Sequence, residues 1–326
     1  MIIENSKTYN VNEVENLFFR PSFCGKSAEE LGIRVLYNMP MPTKLPVFYH
    51  HNSILKGFSS GWQGDTAGEL QEVEIPMIKL KAENAYSAES YFASVFELLT
   101  NSAEVNLGDL TGTDLEKAET ELFRRAICDS VYATMWFGDQ NEDVSDFSSF
   151  TGFLRKVIDI REIEDPDAKI NIVKDALEFP VEELLHEVWT QSSSSLRSLA
   201  ADGQLAYFVS SDIYDAYQFY LDEKGLASTI GEGSNGRPTL YYHGIPLVEL
   251  PASQYGLYRA QSFCVLTDRR NFVLALNTAD SPEKEIRMWY NPDEMENRQR
   301  VVFLAGTAIV DADLISAYIF DNGVIL

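Results

Sequence analysis

The sequence has few cysteines and histidines, and those it has are scattered. Among 326 residues there are three cysteines and four histidines. They are Cys24, Cys128, Cys264, His50, His51, His186 and His243. An odd number of distant cysteines fits a reducing compartment, and the spacing matches no zinc-type ligand cluster. We therefore expect no disulfide, no metal and no other cofactor, and we expect Cys128, inside a predicted helix, to be a core residue.

Basic residues and long apolar runs are also scarce. Lysine and arginine number 26 against 50 aspartates and glutamates, which gives a formal net charge of −24. Such a chain is poorly suited to binding nucleic acid by neutralising its phosphates. The acidic residues could repel DNA, or, as the alternative, they could serve only to keep the protein soluble. No apolar run approaches the roughly 18 residues of a membrane span. The N-terminal run MIIENSKTYNVNEVENLFF is acidic where a signal peptide is basic, so we expect neither a membrane partner nor export.

A long amphipathic helix is the strongest positive signal. It lies in residues 111–138, TGTDLEKAETELFRRAICDSVYATMWFG. Thr113 and Glu116 form a capping box, and Gly138 supplies a C-terminal stop. Apolar residues recur mostly at steps of three or four: Leu115, Ala118, Leu122, Ala126, Val131 and Met135. A helix of about 24 residues would measure about 36 Å, roughly twice the average globular helix length.

A glycine-rich hairpin is predicted before this helix, in residues 44–86. Residues 44–56 are strand-like, a glycine-dense run GFSSGWQGDTAG follows, and residues 69–82 form the return strand. Pro76 cannot donate to a strand ladder, so the return strand should lie at an edge or leave the sheet there. Phe58 and Trp62 fall at the predicted mobile tip. They are candidate anchors on a neighbouring subunit, with folding back onto their own hairpin as the alternative.

The remaining segments indicate an α+β protein. Residues 1–43 show little periodicity and are predicted to be an extended arm, and residues 87–101 are predicted to be a helix capped by Ser87. Helices are predicted at 180–200 and 212–225, and strands at 205–210 and in TLYYHGIPLVEL, SFCVLT, NFVLALN and EIRMWY. RVVFLAGTAIV is apolar on both faces and is therefore predicted to be central in a sheet. Helices and strands alternate irregularly, which is typical of the α+β class.

Four short motifs match catalytic or binding signatures only in part. GFSSG at 57–61 fits the nucleophile elbow, but no helix follows it. GEGSNG at 231–236 stands after a helix and before a strand, the reverse of a dinucleotide site. DQNED at 139–143 lacks the glycine and glutamate of an EF-hand, and HEV at 186–188 lacks a second histidine. We predict no catalytic residue and no enzyme, with a serine hydrolase using Ser59 as a distant alternative.

The order of these elements resembles the major capsid proteins of tailed bacteriophages, whose fold is shared with encapsulin shells. Five stretches resemble the corresponding parts of that family. They are the entry to the long helix, the end of that helix, a strand–helix pair, a strand with the pattern G-x-P, and the closing strands. The corresponding stretches are SAESYFASVFELLTNSAEVNLGDL, ELFRRAICDSVYATMWFGD, LAYFVSSDIYDAYQFYLDEKG, TLYYHGIPLVELP and RVVFLAGTAIVDADLISAYIF. The likeness covers nearly the whole chain from about residue 40, and the order of the motifs is more specific than any one of them.

The resemblance implies a fold with four parts. These are an N-terminal arm (1–43), an extended β-hairpin loop (44–86), a peripheral domain with a long spine helix (87–165, completed by 291–326) and an axial domain (166–290). The arm would embrace a neighbour and the hairpin would lie over an adjacent subunit. The expected inter-subunit contacts are Phe58, Trp62, Lys56, Phe18 and Phe19. Lys56 is included because some relatives crosslink subunits through a loop lysine.

The implied function is a major capsid protein that assembles as hexamers and pentamers into an icosahedral shell around double-stranded DNA. A separate scaffolding protein (or a scaffolding segment cleaved off before residue 1) and a portal are expected partners, and DNA would be enclosed without sequence-specific binding. The expected location is the virion, after assembly in the bacterial host cytoplasm. The alternative is an encapsulin-like compartment shell. A neighbouring gene for an enzyme cargo would favour the encapsulin, whereas a neighbouring portal or tail gene would favour the phage capsid.

Overall fold

The computed structural model describes most of the chain and all but one of the predicted regular elements. The described residues are 28, 30–37, 43–50, 58, 60, 68–87, 114–140, 147–173, 180–226, 230–231, 239–250, 262–277 and 287–320. The helix predicted at 87–101 lies outside them, apart from Ser87, which is the last residue of a strand. In the described part of the chain, no helix combines the length and apolarity needed to cross a membrane.

Five helices and fourteen strands occur within the described ranges. The helices are α1 (Asp114–Phe137), α2 (Phe153–Asp159), α3 (Val181–Gln191), α4 (Ser194–Ser198) and α5 (Ser211–Glu223). The first seven strands are β1 (Arg34–Tyr37), β2 (Thr43–His50), β3 (Gly68–Ile75), β4 (Ile78–Ser87), β5 (Ile170–Val173), β6 (Leu205–Ser210) and β7 (Ile230–Gly231). The others are β8 (Thr239–Tyr242), β9 (Ile245–Leu250), β10 (Ser262–Asp268), β11 (Phe272–Asn277), β12 (Arg287–Asn291), β13 (Glu296–Ile309) and β14 (Ile315–Phe320).

The predicted long helix is α1, which has 24 residues and ends directly before Gly138. Its buried face differs from the predicted stripe: Phe123 and Ile127 are buried, whereas Ala126 and Cys128 are exposed. The expectation that Cys128 is a core residue was therefore wrong. Turning Phe123 and Ile127 inward removes more apolar area from water than turning Ala126 inward, and Cys128 is carried outward as a consequence.

One five-stranded sheet is organised around β13. Strand β4 pairs with one edge of β13, while β12 and β11 pair with the other edge, and β1 lies parallel to β11. The prediction that this apolar segment is central in a sheet is confirmed. Along β13, Val301, Phe303 and Ala305 are buried on the inner face, whereas Arg300 is exposed on the outer face. Strand β1 lies in the segment predicted to be arm, and its four residues are too short to show a periodicity.

A seven-stranded sheet follows the order β5-β14-β10-β6-β9-β8-β7. Strand β6 has the predicted bounds, and every residue in it is buried because both faces of the sheet are covered. The predicted single strand TLYYHGIPLVEL was wrong, since it is the hairpin of β8 and β9. His243 and Gly244 have φ angles of 51° and 77°, as a two-residue hairpin turn requires at both central positions. Helix α5 matches its prediction closely, and the helix predicted at 180–200 is interrupted at Ser192 and Ser193.

The largest core lies where α1 meets both sheets. Trp136 of α1 is fully buried, with ring centroids of Phe153, Phe208 and Phe272 at 5.3, 5.1 and 5.6 Å. These three rings belong to α2, to the seven-stranded sheet and to the five-stranded sheet. Helix α2 was not predicted, and its N-terminal Gly152 donates its N–H to the carbonyl of Gly138 at 2.7 Å. The spine helix is thereby fixed against both sheets. The domain boundaries given by the sequence stay a prediction.

Candidate functional site: the β2–β3 hairpin

The predicted hairpin is present as an isolated two-stranded ladder. Strand β2 pairs antiparallel with β3 from Thr43 opposite Ile75 to His50 opposite Gly68. Consecutive residues Leu70, Gln71 and Glu72 are all exposed, so neither face of the ladder is covered at that point. The Lys44 ammonium lies 2.7 Å from the Glu72 carboxylate, and this hydrogen bond raises the pKa of Lys44.

The base of the hairpin is anchored on the outer face of the five-stranded sheet. Leu45 and Ile75 are buried at the paired end of the ladder, together with Met77 just beyond it. They form one small apolar cluster with Val273, Ala275 and Ala308 of β11 and β13. Hydrophobic burial therefore stabilises the base. Beyond the base, β2 and β3 pair only with each other in the described part of the chain, and an isolated two-stranded ladder is marginally stable in water.

The angle at which the hairpin leaves the sheet is set at Pro76. Strand β3 ends at Ile75 and β4 begins at Ile78, so the chain leaves the hairpin ladder at Pro76, which is one of the two outcomes that the sequence predicted. The prediction of one return strand over 69–82 was wrong in its second half, because residues 78–82 belong to β4 and pair with β13. The Pro76 carbonyl rests on β13 at Gly306, where an added Cβ would stand 2.1 Å from the carbonyl oxygen. A glycine inside a strand often marks such a close backbone approach. The glycine inside the strand was visible in the sequence, but the sequence did not show that Pro76 is the residue it contacts.

We expect Gly306→Ala to displace the base of the hairpin without unfolding the sheet. The new methyl group would overlap backbone atoms of Pro76, which cannot rotate away as a flexible side chain would. Overpacking of this kind costs about 1–3 kcal/mol of folding free energy. Urea unfolding measures the loss, and limited proteolysis should cut the hairpin faster. Equal protease sensitivity of Gly306→Ala and wild type would contradict the hinge role.

Most of the predicted contact residues lie outside the described part of the chain. Phe58 is described and its side chain is fully exposed, which does not fit the alternative that it folds back onto its own hairpin. Lys56, Trp62, Phe18 and Phe19 lie outside the described residues, as does Ser59 of the hydrolase alternative. Their roles, and the inter-subunit contact of Phe58, remain predictions.

Three other side chains of potentially reactive types, those of His186, His243 and Cys264, are described in the structure and contact neighbouring residues of the fold. His186 on α3 lies 3.5 Å from the Thr190 hydroxyl, and the His243 ring stacks on Trp189. Burial raises the pKa of the Cys264 thiol, which keeps it protonated and unreactive. Within the described ranges, no three His, Cys, Asp or Glu side chains come together as metal ligands.

Comparison with known proteins identifies the fold through structure. No protein-family model matches the chain, and no curated protein does. A chain of the satellite phage P4 procapsid, a structure that includes the size-determination (Sid) protein, superimposes with a TM-score of 0.51 at 12% identity, covering 91% of this chain and 95% of that one. A chain from Gordonia phage Cozz gives a TM-score of 0.51 at 12% identity, covering 97% and 91%. The chain has the capsid-protein fold of tailed phages. The predicted α+β class and the family resemblance are thereby confirmed at the level of fold.

An encapsulin is also similar, but less so. A chain of the holo-SrpI encapsulin complex from Synechococcus elongatus PCC 7942 gives a TM-score of 0.44 at 10% identity, covering 88% of this chain and 84% of that one. A likeness at that level carries no weight in choosing between a capsid and an encapsulin. Among the described strands, β2 and β3 form a two-stranded ladder that is separate from both larger sheets.

Proposed function

We propose that this chain is a major capsid protein, many copies of which assemble as hexamers and pentamers into an icosahedral shell. The shell would enclose the double-stranded DNA of a tailed phage or prophage. The observation that carries the proposal is the hairpin, whose ladder is exposed on both faces at residues 70–72, in a chain with the capsid-protein fold. An exposed Phe58 does not stabilise a single subunit, because its ring stays in water, and exposed apolar groups of this kind often mark a site of contact with another protein.

A second copy of the chain supplies what the hairpin lacks. Two strands without a covering layer are marginal in water, and a neighbouring subunit would cover one face. Exposed apolar groups such as Phe58 and Leu70 would then leave water at an interface instead of in the subunit core. The hairpin is therefore an assembly element, and the proposal requires no catalytic chemistry.

The charge of the chain fits a container for DNA. A net charge of −24 repels phosphates, so packaged DNA would move past the wall without adhering to it. A separate scaffolding protein and a portal are the partners that this role calls for, with assembly in the bacterial cytoplasm and the virion as the final location.

Trp62→Ala should leave the subunit folded and impair shell formation. Trp62 is the largest side chain in the glycine-rich segment between β2 and β3, and tryptophan is the residue type that most often dominates an interface. Negative-stain electron microscopy counts the particles, and circular dichroism checks the fold. Trp62→Phe keeps an aromatic ring and should restore most assembly. Normal shells from Trp62→Ala would contradict the anchoring role of this residue.

A further inference from the structure

Two consecutive arginines lie in the turn that joins the two large sheets. Arg269 and Arg270 belong to the short 3₁₀ turn Arg269–Asn271, which leads from β10 of the seven-stranded sheet to β11 of the five-stranded sheet. Arg270 is exposed and paired with carboxylates. Arg269 is half-buried, and in the part of the chain that the structure describes its guanidinium makes no ion pair and no hydrogen bond. The two neighbours therefore differ in what they leave unsatisfied.

The carboxylates nearest to this turn are taken up by Arg270. The Arg270 Nε donates to Oδ1 of Asp268 at 3.0 Å, and its Nη2 donates to Oδ2 at 2.6 Å. The same Nη2 lies 3.6 Å from the Asp202 carboxylate. The backbone N–H of Arg270 also donates to Oδ1 of Asp268 at 2.8 Å. Both oxygens of Asp268 are thus bound to Arg270, and Asp268 acts on Arg269 only through space.

The side chain of Arg269 is held in place by its own contacts. Its backbone N–H donates to the carbonyl of Gln204 at 3.1 Å. Its stem lies against Gly32, where an added Cβ would stand 2.9 Å from Cδ of Arg269. Gly32 has a φ of 76°, a conformation that favours glycine, so the space beside it is left to the arginine stem. Packing of the stem in this way positions the charged group at its end.

The buried part of the guanidinium is uncompensated within the described chain. The Nε atom of Arg269 is inaccessible to water and has no hydrogen-bond partner among the described residues. Burial lowers the pKa of the guanidinium, while electrostatic interactions with Tyr241 and Asp268 oppose this lowering. Arginine stays protonated in proteins regardless. A cation that is partly removed from water without a hydrogen bond destabilises the folded state, and a bound anion would remove that cost.

We propose that Arg269 is an oxyanion-binding site, which takes a phosphate or a carboxylate on the edge of the guanidinium that carries Nε. Parallel N–H groups on that edge match two oxygens of either ligand, whereas chloride offers a single acceptor atom. Tyr241, which is exposed and near enough to interact electrostatically with Arg269, is the candidate second donor. The site lies where the segment before β1, the turn between the sheets and β8 meet. It goes beyond the proposed shell function and does not depend on it.

The stability of the full-length chain, kept dilute so that it remains unassembled, tests the site. Arg269→Met keeps an unbranched stem and removes the charge, so in a buffer with chloride as its only anion it should raise the urea midpoint. Inorganic phosphate or succinate at equal ionic strength should raise the midpoint of wild type and leave that of Arg269→Met unchanged. At ten times the dissociation constant, the folding equilibrium constant should rise about elevenfold. A lower midpoint of Arg269→Met in chloride, or equal responses of both proteins to both oxyanions, would overturn the proposal.

Two matched variants and a direct readout separate Arg269 from its neighbour. Arg270→Lys keeps a cation beside Asp268 and should retain the response to the oxyanion, and its loss would overturn the assignment. Arg269→Lys keeps the charge without the planar fork and should bind several times more weakly. In ¹⁵N NMR of arginine side chains, the oxyanion should move one Nε–H signal that is missing from Arg269→Met, and no movement of that signal would contradict binding. A larger response to phosphate than to succinate assigns a phosphate ligand, and the reverse assigns a carboxylate.

Discussion

Replacing residues 48–70 with the dipeptide Asn-Gly should abolish shell formation and leave the subunit folded. Val47 and Gln71 are directly paired in the ladder, and Asn-Gly forms the two-residue turn that joins such a pair. Leu45, Ile75 and Met77 are retained, so the apolar cluster at the hairpin base persists. What is removed is the outer part of the ladder and its tip, to which we assign contacts between subunits.

The truncation is measured by two independent readouts. Sedimentation velocity and electron microscopy should show single subunits or small oligomers where the full-length chain forms shells. Circular dichroism and the urea midpoint should remain near those of the unassembled full-length chain, since the core between the sheets is unchanged. A variant that lacks part of residues 232–238, the segment between β7 and β8, is the control for shortening a connecting segment elsewhere in the chain. Complete shells from the truncated hairpin would contradict its role in assembly.

Trp136→Ala should destabilise the subunit by about 3–5 kcal/mol, the range for removing a fully buried large aromatic side chain. Trp136 joins the spine helix to both sheets through Phe208 and Phe272, so the cavity would open where the three layers meet. Phe153 and Phe272 are themselves stacked at 4.6 Å, which limits how far they can close the gap. We expect this to be the largest effect of a single truncation to alanine in the core.

The hairpin-truncated subunit is the appropriate background for this measurement, because assembly would otherwise add to the apparent stability. Urea unfolding of the two proteins gives the difference in free energy. Trp136→Phe is the matched control: the indole N–H of Trp136 has no hydrogen-bond partner among the described residues, so a ring of smaller size should recover most of the loss. A difference below about 1 kcal/mol for Trp136→Ala would show that the three layers pack independently of this side chain.

Elements with strong local patterns were predictable from the sequence. Strand β6 has the predicted bounds, the long helix ends directly before the predicted stop at Gly138, and the hairpin is present with shorter strands than predicted. Strand β1, with four residues, and helix α2, with seven, were missed because neither has a distinct local pattern. Strand β1 is held by its pairing with β11, and α2 begins at Gly152, which bonds to Gly138.

The candidate site was only partly predictable, for a different reason. The hairpin and its acidic strand are local features, and the exposure of Phe58 followed from them. The contact of Gly306 with Pro76 could not be predicted, because it arises from register between distant strands. Arg300 and Glu83 show the same effect: they are 217 positions apart and become neighbours only through the β4–β13 ladder.

Negative-stain electron microscopy of the purified wild-type chain shows whether the chain builds a capsid. We expect closed shells of uniform diameter, or the hexameric and pentameric rings from which such shells are built, with the fraction assembled rising with protein concentration. Single subunits at every concentration, with and without the proteins encoded beside it, would contradict the proposal that this chain builds a capsid.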